Sequence, residues 1–193
     1  MTLTTKPEAA RVPEQSVESS ASAVEWAAIL GGALAAVGIS IILFTLGSGL
    51  GLSTVSPWSW SHPSPTTFGT IAGIWLIITQ WLASALGGYL TGRLRTKWVG
   101  IRTDEVFFRD TAHGFLAWAL ATVLIATFFA IAASAVATVP EATANAATVS
   151  AEVAEQARKA AATFSVFTAL SLLVGAFIGS VAGAIGGYHR DDV

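Results

Sequence analysis

Leu86–Trp118 reads LGGYLTGRLRTKWVGIRTDEVFFRDTAHGFLAW. It lies between two long apolar runs and holds half of the ten Lys and Arg residues of the chain. Arg93, Arg95, Lys97 and Arg102 arrive before any acid, and Asp104, Glu105, Arg109 and Asp110 follow. A basic strip between two runs long enough to cross a bilayer marks a connection at a membrane surface.

Outward from this strip the chain is short of charge. Its 193 residues are 53% hydrophobic and 11% charged, with mean hydropathy +0.66, against about 25% charged in soluble domains. A soluble core could not hide so much apolar surface, so the expected solvent is lipid. The net charge of -2 gives no reason to expect nucleic acid. Cysteine is absent, which excludes a disulfide framework, a thiolate metal site and a cysteine nucleophile.

The expected fold class is all-α, a polytopic membrane protein with four transmembrane helices. Residues 1–24 read as a flexible cytoplasmic tail, polar and carrying Pro7 and Pro13. The membrane domain covers 25–188, with helices at about 25–52, 68–92, 111–139 and 160–188. The basic connection is 93–110, and 189–193 form a cytoplasmic C-terminus. Pro57, Pro63 and Pro65 forbid a regular helix across Ser53–Thr66. Trp26, Trp58 and Trp60 read as headgroup-level anchors, and His62 as a surface histidine. Within Glu141–Lys159, Glu155 and Lys159 have the favourable i,i+4 order, so this stretch is expected to run as helix into segment four.

Glycines at four-residue spacing mark expected helix-packing faces. They are Gly47 and Gly51, Gly69 and Gly73, Gly88 and Gly92, and the row Gly175, Gly179, Gly183, Gly187. The last row suits a neighbour in the same chain or the same helix of another copy. Gly47–Gly51 reads as either a close contact or a frayed helix end. Gln80 is the strongly polar side chain at mid-depth, and an amide in hydrocarbon needs a partner. It is expected to meet another helix or to line a pathway.

Thr103 or Asp104 can cap the third helix, with acids in its first turn. Glu105 and Arg109 can pair at i,i+4. Asp110 and His113, at i,i+3, form a two-ligand edge without a third ligand nearby, so no metal and no cofactor are expected. Arg93, Arg95, Lys97 and Arg102 are expected to contact anionic lipid headgroups.

Lys and Arg fall eight to two between the two sides. Lys6, Arg11, the five of the basic connection and Arg190 oppose Arg158 and Lys159. This bias places both termini in the cytoplasm. Segment two ends Ala85-Leu86-Gly87-Gly88-Tyr89, and segment four ends Ala184-Ile185-Gly186-Gly187-Tyr188. That match suggests two hairpins in a parallel 2+2 repeat.

Five stretches carry a resemblance over about Glu25–Thr122: Trp26–Ile29, Leu46–Leu52, Gly73–Trp75, Gly87–Leu94 and His113-Gly114 with Trp118–Leu120. In these the chain resembles small proteobacterial integral membrane proteins often labelled "PhnA-like". The resemblance implies a bacterial inner-membrane protein and leaves activity open. The basic connection Lys97–Asp110 is longer than in that group.

The expected function is a non-enzymatic scaffold or accessory subunit of the inner membrane. It would pack through glycine faces in a homo-oligomer or a larger membrane complex. Its partners would be the lipid bilayer, anionic headgroups, and itself or that complex. The alternative is a small passive channel or permease-like protein. Coupled transport usually needs ionisable side chains within the spans. An enzyme built on Asp110, His113, His189 and Asp191 would lack a legible nucleophile.

Overall fold

A computed structural model describes residues 23–53, 65–98, 100–137 and 151–192. The expected tail over 1–22, the anchors Trp58 and Trp60, His62 and the first part of the Glu141–Lys159 connection lie outside the described residues. The fold is all-α, with four helices: α1 (Trp26–Ser53), α2 (Pro65–Leu94), α3 (Thr103–Ala137) and α4 (Ala151–Asp191). All four are long and apolar enough to cross a membrane.

The helix ends follow from local chemistry. α1 continues through Gly47, Gly49 and Gly51, although each glycine costs about 1 kcal/mol of helix propensity. Backbone groups in hydrocarbon must bond within their own helix, which outweighs that cost. The glycine cluster is therefore helix and not a frayed end. α2 starts on Pro65, at the position where a missing N–H is harmless. α3 starts eight residues before the expected apolar segment, with Asp104 and Glu105 in its first turn. The carbonyl of Arg102 accepts its first bond, from Val106 N–H, so Arg102 takes the capping position expected of Thr103 or Asp104. The basic connection shrinks accordingly to the residues between Leu94 and Thr103, where Gly100 turns the chain at φ 83°.

α4 runs unbroken through Glu155–Lys159 for 41 residues. That is about 61 Å, twice the roughly 30 Å hydrocarbon thickness. Glu155 pairs with Arg158 at 2.8 Å and with Lys159 at 3.5 Å.

The basic connection, the start of α1 and the end of α4 gather at one end of the bundle, here the basic end. α2 and α3 each touch every other helix, while α1 and α4 make no contact among the described residues. The core is built of small side chains, Ala33, Ala36, Ala83 and Ala121, flanked by Val37, Ile39 and Leu120. The large apolar residues point outward, as lipid contact demands. The two Gly-Gly-Tyr ends come together at the basic end but face differently. Gly87 abuts α1 and Gly88 abuts α4, whereas Gly186 abuts α2 and Gly187 abuts α3. The local repeat thus does not extend to equivalent contacts.

Packing tapers along the bundle. Buried positions end at Ser40 on α1 and at Ala121 on α3, and begin at Ser171 on α4. Every residue from 126 to 135 and from 158 to 166 is exposed. Hydroxyls on these bare surfaces donate to their own helices: Ser134 to Ile131 O at 2.8 Å and Ser165 to Ala161 O at 2.9 Å. No polar hydrogen is thereby left facing hydrocarbon at those positions.

Candidate functional site

The glycine row of α4 brings the chemistry together. A Cβ on Gly179 would lie 3.0 Å from Trp118 Cβ and 3.3 Å from Gly114 O. One on Gly183 would lie 2.6 Å from Asp110 O and 2.8 Å from Gly114 Cα. Gly88 and Gly92 of α2 press on the carbonyls of Gly179 and Gly183. Gly187 leaves the space that the Asp110 carboxylate fills. The row is therefore covered by α2 and α3 of the same chain, which answers the choice between a neighbour and another copy.

At that carboxylate two guanidinium groups meet. Arg95 Nε donates to Asp110 Oδ1 at 2.7 Å, and Arg95 Nη2 lies 2.6 Å from the same oxygen. Arg190 Nη1 and Nη2 donate to Oδ1 and Oδ2 at 3.3 and 3.4 Å. Arg190 also donates to Gly92 O at 3.0 Å and to the Asp191 carboxylate through Nε and Nη2 at 3.0 Å each. The side chains of Arg95, Asp110 and Arg190 are 0%, 3% and 9% exposed. Burial draws the Arg95 pKa below its ordinary value, and the neighbouring Asp110 opposes that shift. Arginine keeps its charge regardless.

His113 lies one turn along α3. Its Nδ1 is 2.6 Å from Arg109 O, and its Nε2 accepts from Glu25 N–H at 2.9 Å. The Glu25 carboxylate accepts from Thr96 N and Oγ1 at 2.8 and 3.0 Å. The guanidinium groups of Arg95 and Arg109 both lie over the Trp98 ring, 5.2 and 4.5 Å from its centre. Arg109 pairs with Glu105 at 2.6 Å, as their spacing predicts.

The four residues expected at lipid headgroups divide. Arg95 is buried in the junction and contacts no headgroup, because Asp110 lies inside the bundle beside Gly187. Arg93 donates to His189 O, and Lys97 Nζ donates to Asp191 O at 3.0 Å. These two cations cap the carbonyl end of α4, where the helix dipole is negative. Arg102 is exposed and pairs with Asp104 at 2.6 Å.

The other expected glycines also find places. Gly47 lies under the Trp75 indole, which donates to Leu43 O at 3.1 Å. Gly51 is at van der Waals distance from Phe68, and Gly73 lies under the Phe167 ring. Gly69 faces open space. Gln80 leans with Trp118 onto Gly175 at the α2, α3 and α4 contact. The indole N–H of Trp118 is buried and has no hydrogen-bond partner among the described residues.

Sequence reasoning missed Glu25, Thr96 and Trp98 as members of the junction. It also missed Gly32, Gly114 and Gly186 as close-contact positions. The doubled glycines Gly31-Gly32 and Gly186-Gly187 were the available signal for two of these. Chemically, the arrangement ties four helix ends together. Asp110 is committed to two arginines, and both ring nitrogens of His113 are committed to backbone. Comparison with family models, with curated proteins and with solved structures returns no match.

Proposed function

We propose that the chain is a non-enzymatic bacterial inner-membrane protein, a scaffold or accessory subunit with its basic end and both termini in the cytoplasm. The observation that carries this reading is the junction itself. Its buried ionised groups pair with one another, with only Arg95 Nη1 left without a partner among the described residues, which suits a structural body better than a reacting site. The glycine row of α4 is likewise spent inside the chain. Association with a second copy or a larger complex is therefore assigned to outward positions. Gly38 and Gly49 of α1 and Gly69 of α2 have open space above them and admit another helix closely.

The deciding experiment is the native mass of the protein extracted into a polymer nanodisc. The expected result is a defined multiple of the 19.9 kDa chain, or co-purification with foreign membrane subunits. A lone monomer at every protein-to-lipid ratio tested would overturn the reading. One observation favours the alternative of a passive pathway: the Gln80 amide and the unpartnered Trp118 indole sit together at mid-depth. Solute flux in liposomes that disappears in Gln80→Leu would select that alternative.

A further inference from the structure

We propose that His113 is a proton-operated latch that seats the start of α1 on α3. Its ring makes two bonds, each to a backbone group of fixed polarity. The Arg109 carbonyl, 2.6 Å from Nδ1, can only accept. The Glu25 amide, 2.9 Å from Nε2, can only donate. The neutral ring must then carry its proton on Nδ1 and keep Nε2 bare. A second proton would set two donors face to face across the Glu25 contact. His113 is 2% exposed, so little water reaches the ring to bridge the two donors. The bond from α1 breaks.

Glu25 offers a second arrangement. Its carboxylate is held by Thr96 N and Oγ1 on the connection between α2 and α3. A charged ring presents a donor on Nε2, and this carboxylate is an acceptor of opposite sign on the very residue whose amide has been displaced. Both Thr96 bonds use Oε2, so Oε1 can take the new bond while Thr96 stays in place. Protonation therefore exchanges one seating of the α1 start for another against a connection that remains held. The charged groups facing the ring are Glu25 from the α1 start, Arg95 from the end of α2, and Arg109 and Asp110 from α3 itself. Arg190 and Asp191 of α4 reach it through Asp110.

The absence of native cysteine makes a direct test available. Ala28 is 4% exposed and its neighbour Ala27 is exposed. Ala28→Cys and Ala27→Cys are made separately in the full chain, placed in lipid nanodiscs and labelled with a maleimide. The ratio of the two rates cancels the intrinsic pH dependence of the thiol. Between about pH 8 and about pH 4, a window carried below the ordinary histidine range because the ring is buried, the ratio is expected to rise several-fold. It is expected to stay flat in His113→Gln, whose amide can donate to Arg109 and accept from Glu25 without titrating. A flat ratio in the parent, or the same rise in His113→Gln, overturns the proposal. Should His113→Gln not fold, nitrogen-15 shifts of the three histidines, assigned through His62→Asn and His189→Asn, decide the matter. The Nδ1–H form at neutral pH, changing together with the labelling ratio, supports the latch. An Nε2–H form, or a ring that titrates apart from the ratio, overturns it.

Discussion

Asp110 accepts from Arg95 and Arg190 together, and both of its oxygens are used. Its value is best read by removing it. Asp110→Asn keeps the shape and strips the charge, which leaves Arg95 buried beside a neutral amide. Breaking a buried pair from one side costs about 3–5 kcal/mol, whereas replacing both partners by neutral groups is often nearly free. Unfolding of reconstituted protein is therefore expected to show a loss of that size in Asp110→Asn. Most of it should return in the double variant Arg95→Met/Asp110→Asn. A loss in the double variant equal to the sum of the Asp110→Asn and Arg95→Met losses would show that the pair is not coupled. The sequence showed part of this site. Asp110 and His113 were legible as one face of a helix, because i,i+3 spacing fixes that. Arg190 lies 80 residues from Asp110, and no local spacing reports a contact of that range. The excess of Lys and Arg read as a surface for lipid because charge counting does not show which cation turns inward.

Among the elements, α4 shows what glycine spacing conveys and what it omits. The four-residue row was legible as a place of close approach, since only small residues let helix backbones meet. Its occupants were not legible, because the row describes one surface and says nothing of the other. Gly183→Ala would set a Cβ 2.6 Å from the Asp110 carbonyl and 2.8 Å from Gly114 Cα. Neither backbone atom can rotate away, so α3 and α4 must separate. Overpacking of this kind costs about 1–3 kcal/mol. Gly69→Ala meets nothing within 4 Å and gains up to about 1 kcal/mol of helix propensity. Unfolding measurements should rank Gly183→Ala below the parent and Gly69→Ala at or above it. Helix limits were less legible than helix existence. Hydropathy marks where lipid begins, but α3 and α4 continue beyond it on polar residues. Asp104 and Glu105 suit a helix start, and Glu155 with Arg158 and Lys159 supports a solvent-facing turn.

Across the whole molecule, four apolar runs and their number were plain from composition, because lipid leaves the backbone few other solutions. The taper was not plain. Alanine is more frequent in the bare half of α3 than in its packed half, six in 122–137 against four in 103–121, and nothing in the local pattern tells a lipid-facing alanine from a buried one. Yet the taper has the widest consequence. The bundle is cinched by ion pairs at its basic end; toward the other, α1 keeps its contacts with α2 through Gly47 with Trp75 and Gly51 with Phe68, while the far stretches of α3 and α4 stand bare. Such a body displaces unequal areas of the two leaflets. A flat bilayer must stretch or compress one leaflet to fit it, whereas a membrane curved toward the narrow end accepts it without that cost. In a mixed population of liposomes, the protein is expected to concentrate in the smaller ones when its broad end faces the outer, convex leaflet. An even density across diameters would show that lipid fills the gap between the helices. The shape would make membrane curvature itself a cue for where the chain collects.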